Sequence, residues 1–349
     1  MPLAWPIRMA IGKRFDTKPL REQVIVITGA SSGIGLATAR LAAQRGATVV
    51  MAARNAQDLE AVTNEICASG GRALAVPTDV ADAAAVEELG ARAVREAGAI
   101  DTWVNNAGLS IYGKLTDVPL EDKRRLFDIN FWGVVHGCRT AVHHMKNTGG
   151  VLINLGSQLS DIAIPLQGIY SASKHAVKGY TDALRMELEH DDIPIAVTLV
   201  KPSAINTPYP EHARNYLEDG VPALTPPIYA PEVVARVIVR CAERPVREVV
   251  VGGGGRVQTA VGRMAPRLAD QYLERLLFDQ QKTHDRIQPR EGSLERPQAD
   301  GRAWGPYPGH VMQSSVYTRA ALSPVVKTMT FAAAGLALVA GVKRWKNAA

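Results

Sequence analysis

Apolar residues recur along this chain in two rhythms. Short, nearly unbroken runs read V-I-V-I-T at Val24–Thr28 and T-V-V-M-A-A at Thr48–Ala53, and similar runs fall at Arg72–Val76, Asp101–Val104, Val151–Leu155, Ile195–Val200 and Glu248–Val251. Continuous β-branched runs suit strands of a parallel sheet that is covered on both faces. Between them, apolar positions fall at helical spacing. The pattern predicts helices from Leu36 through Ala42 and over Leu59–Ser69, Ala83–Gly98, Pro119–Met145, Gly168–His190 and Pro231–Glu243. Pro208–Tyr229, rich in Pro, Tyr and Leu, reads as a mobile lid over an apolar substrate. The expected fold class is α/β.

The chain of 349 residues has room for one large α/β domain and an appendage. Residues 1–22 read as an N-terminal arm and 23–255 as the main domain. Residues 256–283 read as a helical extension, 284–321 as a Pro/Gly-rich linker, and 322–349 as an apolar C-terminal helix with a basic flank. Thr328–Val342 is uncharged. As a helix it covers about 22 Å, short of a ~30 Å hydrocarbon core. Lys343, Arg344, Trp345 and Lys346 follow it, an interface-like flank. The reading allows shallow membrane contact or docking on a partner subunit.

The net charge of +6 is spread among acids, with no aromatic-studded basic stripe, so nucleic acid is not an expected partner. Cys67, Cys138 and Cys241 are far apart, which points to neither a disulfide framework nor a metal site. The N-terminus lacks the long apolar run of a secretory signal, and a cytoplasmic location is expected.

The chemistry gathers in G-S-Q-L-S-D-I-A-I-P-L-Q-G-I-Y-S-A-S-K, Gly156–Lys174. Tyr170 and Lys174 share one helix face, a turn apart. A tyrosine hydroxyl, with an ordinary pKa of about 10, is a weak acid at neutral pH. An ammonium one turn away is expected to lower that pKa. Ser157, just past an apolar strand, suits polarisation of a carbonyl oxygen. The same spacing also serves plain packing and a solvated charge.

The first strand runs into Gly29-Ala30-Ser31-Ser32-Gly33-Ile34-Gly35 and then a helix. In that setting the glycines permit a tight turn and close approach of a pyrophosphate at the helix N-terminus. After the second strand, where an NAD site carries an acid, this chain has Ala53 and Arg54. A guanidinium there grips a 2′-phosphate, which favours NADP over NAD. Asp79 is placed to accept from an adenine amino group, or to cap the next helix. Asn105-Asn106-Ala107-Gly108 ends the fourth strand, and its amides can line a cofactor. Asn130 lies amid Phe127, Ile129, Phe131 and Trp132 and needs a polar partner if buried. Thr207 follows the sixth strand, near the expected nicotinamide. Ala172, Ala176, Gly179 and Ala183 form a small-residue face suited to dimer packing.

Taken together, T-G-A-S-S-G-I-G at Thr28–Gly35, Asp79-Val80, N-N-A-G, Asn130, Ser157 and Y-S-A-S-K at Tyr170–Lys174 resemble the short-chain dehydrogenase/reductase family over roughly residues 20–255. The resemblance implies a Rossmann-like, doubly wound sheet of about seven parallel strands. It implies a catalytic set of Asn130, Ser157, Tyr170 and Lys174. The implied cofactor contacts are Thr28, Gly29, Ser31, Ser32, Gly33, Ile34, Gly35, Arg54, Asp79, Val80, Asn106, Ala107, Gly108, Tyr170, Lys174, Pro202 and Thr207. It further implies hydride transfer between the nicotinamide and a carbonyl or alcohol, in a homodimer or homotetramer. Two departures stand out: Ser203 replaces a glycine after Pro202, and Ser32 stands where some NADP members carry a basic residue. The rival expectations are a non-catalytic NADP sensor that uses its tail for contacts, and an epimerase of the same fold.

Overall fold

The computed structural model describes residues 17–254, 266–283, 291–298 and 301–323. Thr328–Val342, the expected apolar helix, lies outside the described residues, as does most of the N-terminal arm.

Seven strands form one parallel sheet: β1 (Val24–Thr28), β2 (Thr48–Ala53), β3 (Arg72–Pro77), β4 (Thr102–Asn105), β5 (Gly150–Leu155), β6 (Ile195–Pro202) and β7 (Glu248–Val251). Their order across the sheet is β7-β6-β5-β4-β1-β2-β3. β1 pairs with β2 on one side and with β4 on the other. The chain therefore reverses its direction of winding at β1, and ligands of such sheets bind beyond the carboxyl ends of the strands at that point.

The apolar runs are continuous because each strand feeds two cores. Ile25 and Ile27 enter one buried cluster, while Val24 and Val26 enter the other. On the first face lie α1 (Gly33–Gln44) and α7 (Pro231–Glu243), which pack together. On the second lie α3 (Ala83–Ala97) and α5 (Gly133–Met145). α2 (Ala56–Ala68), capped by the Asn55 side chain, covers β3. Each buried Val, Leu or Ile contributes roughly 1.5–3 kcal/mol relative to exposure.

The stretch expected to be one helix over Pro119–Met145 has three parts. α4 (Leu120–Phe127) passes through a π-helical turn at Asp128–Trp132 before α5 begins. Such a turn inserts a residue and often marks a functional site. α6 (Gly168–His190) carries the Tyr-Lys pair. Beyond the sheet, α8 (Pro266–Gln280) and α9 (Val316–Leu322) belong to the C-terminal extension. The region expected to act as a linker packs on the body at several of its described points. Ser293, Leu294 and Ala303 are buried, and Val311–Met312 pairs with Ile228–Tyr229.

Candidate active site

Two glycines set the shape of the first turn. Gly29 has φ +65, and a Cβ there would lie 2.8 Å from the Ala107 Cα. A Cβ on Gly35 would lie 2.1 Å from the Gly29 carbonyl oxygen, so α1 approaches β1 as closely as it does only because that atom is missing. Asn106 ties the turn to the neighbouring strand. Its Nδ2 donates to the carbonyls of Thr28 (2.9 Å) and Gly29 (3.1 Å). The Thr28 hydroxyl accepts from the N–H groups of Asn106 (3.0 Å) and Ala107 (3.1 Å). Thr28 and Gly35 thus build the turn from behind. Gly29, Ser31, Ser32, Gly33 and Ile34 line the crevice itself.

The end of β5 supplies Ser157, which caps a short turn at Gln158–Ser160. Its Oγ accepts from the Leu159 N–H at 3.1 Å, and its hydroxyl lies near that of Tyr170. Lys174 is buried, with Nζ 5.8 Å from the Tyr170 ring centre and donating to the Leu155 carbonyl at 2.9 Å. The expected acidification of Tyr170 is not what the surroundings produce. Burial pushes its hydroxyl above the ordinary value of 10, and its polar neighbours, Tyr209 first and then Ser157, oppose this only in part. Burial acts on Lys174 in the opposite sense, lowering its ammonium from 10.5 to about 8. The pair's tuning is therefore governed by desolvation.

Asn130 sits in the π-helical turn, buried behind Gly108. Its side chain is saturated: Oδ1 accepts from the Leu109 N–H (2.8 Å), and Nδ2 donates to the Leu109 carbonyl (2.9 Å) and the Ser173 hydroxyl (3.2 Å). It fixes the segment after β4 against α6. Asn106, Ala107, Gly108, Pro202 and Thr207 line the same crevice as Ser157, Tyr170 and Lys174. Ser203 is not among the residues at positive φ, so that position does not require glycine. Its N–H donates to the Val251 carbonyl at 2.9 Å.

A family model described as short chain dehydrogenase matches residues 23–217, more than half of the chain. The chain belongs to the short-chain dehydrogenase family. YxnA of Bacillus subtilis (strain 168), named an uncharacterized oxidoreductase, is 41% identical over 342 residues, covering 97% of this chain and 94% of YxnA. SadH of Mycobacterium tuberculosis (strain H37Rv), named a putative oxidoreductase, is 32% identical over 239 residues, covering 66% of this chain and 86% of SadH. Among solved structures, a short-chain dehydrogenase/reductase from Burkholderia phymatum in complex with NAD aligns with TM-score 0.65 and 25% identity, over 73% of this chain and 96% of that one. An alcohol dehydrogenase from the archaeon Thermococcus sibiricus, complexed with 5-hydroxy-NADP, aligns with TM-score 0.58 and 26% identity, over 65% and 95%. The protein is thus an NAD(P)-dependent oxidoreductase.

This dehydrogenase places Arg54, Asp79 and Val80 at the far end of the same crevice. Burial pushes the Asp79 carboxyl up, but Arg125, whose Nη2 donates to Oδ2 at 2.7 Å, brings it below the usual carboxylate range. Asp79 also accepts from the Ala81 N–H at 3.0 Å, so it caps its own turn as well as facing the crevice. Burial lowers the Arg54 pKa, and its guanidinium donates to backbone carbonyls of Ser293, Leu294 and Glu295. Those tail contacts had no counterpart in the sequence reading. Nor did three further residues of this dehydrogenase. Tyr209 sets its ring edge-on to Tyr170 at 5.7 Å. Ser173 holds Asn130. Gln167 lines the cavity and donates to Gln281 of the C-terminal extension at 2.7 Å. Tyr209 falls in the Pro- and Tyr-rich stretch read as a lid, which was its one signal.

Proposed function

We propose that this dehydrogenase transfers hydride between NADP and the carbonyl or carbinol carbon of an apolar small molecule. One observation carries the reading: the neighbouring hydroxyls of Ser157 and Tyr170 and the ammonium of Lys174 share a single crevice with the glycine turn. The crevice suits a dinucleotide. Gly33 has φ +54, and Thr207 stands 3.4 Å from where its Cβ would be, so a side chain there would crowd the floor of the crevice. The nicotinamide supplies or accepts the hydride when bound. The protein's own residues handle the oxygen and its proton.

In reduction, Tyr170 donates its proton to the oxygen as negative charge develops there, and Ser157 hydrogen-bonds the same atom. A tyrosine pushed up by burial is a weak acid in the resting site. It gives up its proton only against a developing alkoxide, a stronger base than water. Lys174 lies close enough for its charge to favour the phenolate left behind. Asn130 acts by fixing the Leu109 segment and Ser173, and so the floor on which Lys174 rests. Asp79 serves the adenine end, and Thr207 the nicotinamide end.

The preference for NADP rests on cations. Arg54 and Arg125 flank Asp79, and Ala53-Arg54-Asn55 offers no carboxylate to repel a 2′-phosphate. The carbonyls that now meet Arg54 satisfy its N–H groups but bring no negative charge of their own. Leu159, Ile164, Leu224 and Leu277 line the cavity beyond Tyr170, which favours an apolar substrate. We further infer self-association across α6. Its Ala172, Gly179 and Ala183 are exposed, and a Cβ on Gly179 would touch nothing within 4 Å. For the C-terminal Thr328–Val342, contact with a partner subunit or a membrane surface rests on its sequence alone.

The test is a panel of ketones and aldehydes followed through nicotinamide absorbance, with NADPH and NADH compared. Oxidation of NADPH by the parent and about a thousandfold less by Tyr170→Phe, with NADPH binding kept, is the expected result. Full turnover in Tyr170→Phe would refute the assignment.

A further inference from the structure

The crevice has an outer wall that the sheet does not supply. Residues 291–298 and 301–312 run past it and touch three of the elements that line it. At the end of β2, Arg54 donates to the carbonyls of Ser293, Leu294 (3.1 Å) and Glu295 (3.4 Å). At the start of α1, the Gly33 N–H donates to the Arg302 carbonyl at 3.0 Å. Beyond β6, the Asn206 carbonyl accepts from the Gly305 N–H at 3.2 Å, and the Asn206 Oδ1 from the Tyr307 N–H at 3.3 Å.

These contacts are anchored. Leu294 is fully buried in one core cluster, and Ala303 belongs to the other. The Trp304 Nε1 donates to Glu232 on α7 at 2.8 Å. Gly305 lies so close to the next segment that a Cβ would fall 2.3 Å from the Thr207 carbonyl oxygen. The strap nevertheless does not fill the crevice. Ser293, Pro297 and Gln298 line the same open cavity as Arg54 and Asp79, across from the sheet.

We propose that this strap is the outer wall of the binding site for the adenosine half of the dinucleotide, so that bound nucleotide is enclosed between the sheet and the C-terminal extension. The proposal rests on the NADP reading above. It follows that nucleotide release requires the strap contacts to open. Loosening the strap should therefore raise the dissociation rate more than it alters association. The opposite possibility is a strap that competes with the phosphates for Arg54 and the α1 N-terminus. The cavity that remains between strap and sheet argues against it.

The experiment uses the full chain and NADPH fluorescence, with stopped-flow displacement for the off-rate. If the parent binds neither NADPH nor NADH, the cofactor reading itself fails. If it binds, Leu294→Asp and Gly305→Val, which loosen the strap at separate anchors, should each raise the NADPH off-rate about tenfold or more. An unchanged off-rate, or tighter binding, in variants that melt as the parent does overturns the proposal. Amide exchange on the unmodified protein gives a second measurement that needs no variant. NADPH should slow exchange at the Ser293, Gly305 and Tyr307 amides, and faster or unchanged exchange there would also overturn it.

Discussion

The two ends of the crevice are built on different principles. At the Tyr170 end the polar groups are buried, and most are tied to one another or to the backbone of the sheet domain, while Gln167 reaches the extension at Gln281. Asn130 and Lys174 bond carbonyls at Leu109 and Leu155, and Asn130 also holds Ser173. At the Arg54 end the groups are half-exposed and charged: Asp79 pairs with Arg125, while Arg54 and Arg125 also meet Leu294 and Glu295 from far along the sequence. The proton transfer proposed for the Tyr170 end tolerates little displacement of the reacting oxygen, which short-range, buried contacts would prevent. Nucleotide entry needs an end that can open, and a wall borrowed from the C-terminal extension provides one.

Four measurements would break or sharpen that contrast. The largest effect is expected from Tyr170→Phe, which removes the proposed proton donor. Turnover should fall by roughly three orders of magnitude while NADPH affinity stays within about twofold. Equal losses in both would mean the two ends are not separable.

Asn130→Ala should come next, through stability. It leaves the Leu109 N–H and carbonyl buried without partners, at about 1–3 kcal/mol for each group. Chemical denaturation would read this, and a change under about 0.5 kcal/mol would show that water takes over the role.

The pH dependence should be set by the buried end. Lys174 is charged below about 8 and neutral above it, so carbonyl reduction should be flat below that value and decline above it. The stability sign follows from the same shift. The folded chain loses this proton at about 8, whereas the unfolded chain keeps it to about 10.5, so the buried ammonium costs stability below 8 and the cost fades between the two values. Lys174→Met should gain more stability relative to the parent at about pH 7 than at about pH 10. An equal difference at both would show that desolvation of the ammonium is not the controlling factor.

The smallest effect is expected from Arg54→Gln. NADPH affinity should fall about tenfold more than NADH affinity, since NADH shares only the loss of the strap contacts. Parallel losses for the two cofactors would show that Arg54 serves the strap and not a 2′-phosphate.

Much of the sheet domain was legible because its signals are periodic and local. β1, β2 and β7 carry the bounds that their apolar runs suggest, and β3, β4, β5 and β6 differ by a residue or two at their ends. The glycine turn was legible because two missing Cβ atoms leave a mark in sequence. Ser173 was not, since a serine inside a helix resembles any other until Asn130 is brought against it. The direction of the Tyr170 shift was misjudged because spacing reports a neighbouring charge but not the loss of water. The strap was hidden most completely. Its contacts with Arg54, Gly33 and Asn206 run through its own backbone carbonyls and N–H groups, which every residue carries. Its prolines and glycines read equally well as a linker.

The π-helical turn at Asp128–Trp132 has a consequence for what this lineage can lose. Deleting one residue there would restore an ordinary helix but rotate everything after it by about 100°. α5 cannot accept that rotation. Gly137 faces the Asn105 side chain, with Oδ1 only 1.9 Å from where a Cβ would stand, and Thr140 fits against Gly90 of α3. The count of residues between Asn130 and Gly137 is thus locked from both sides, and insertions or deletions should be confined to the surface loops.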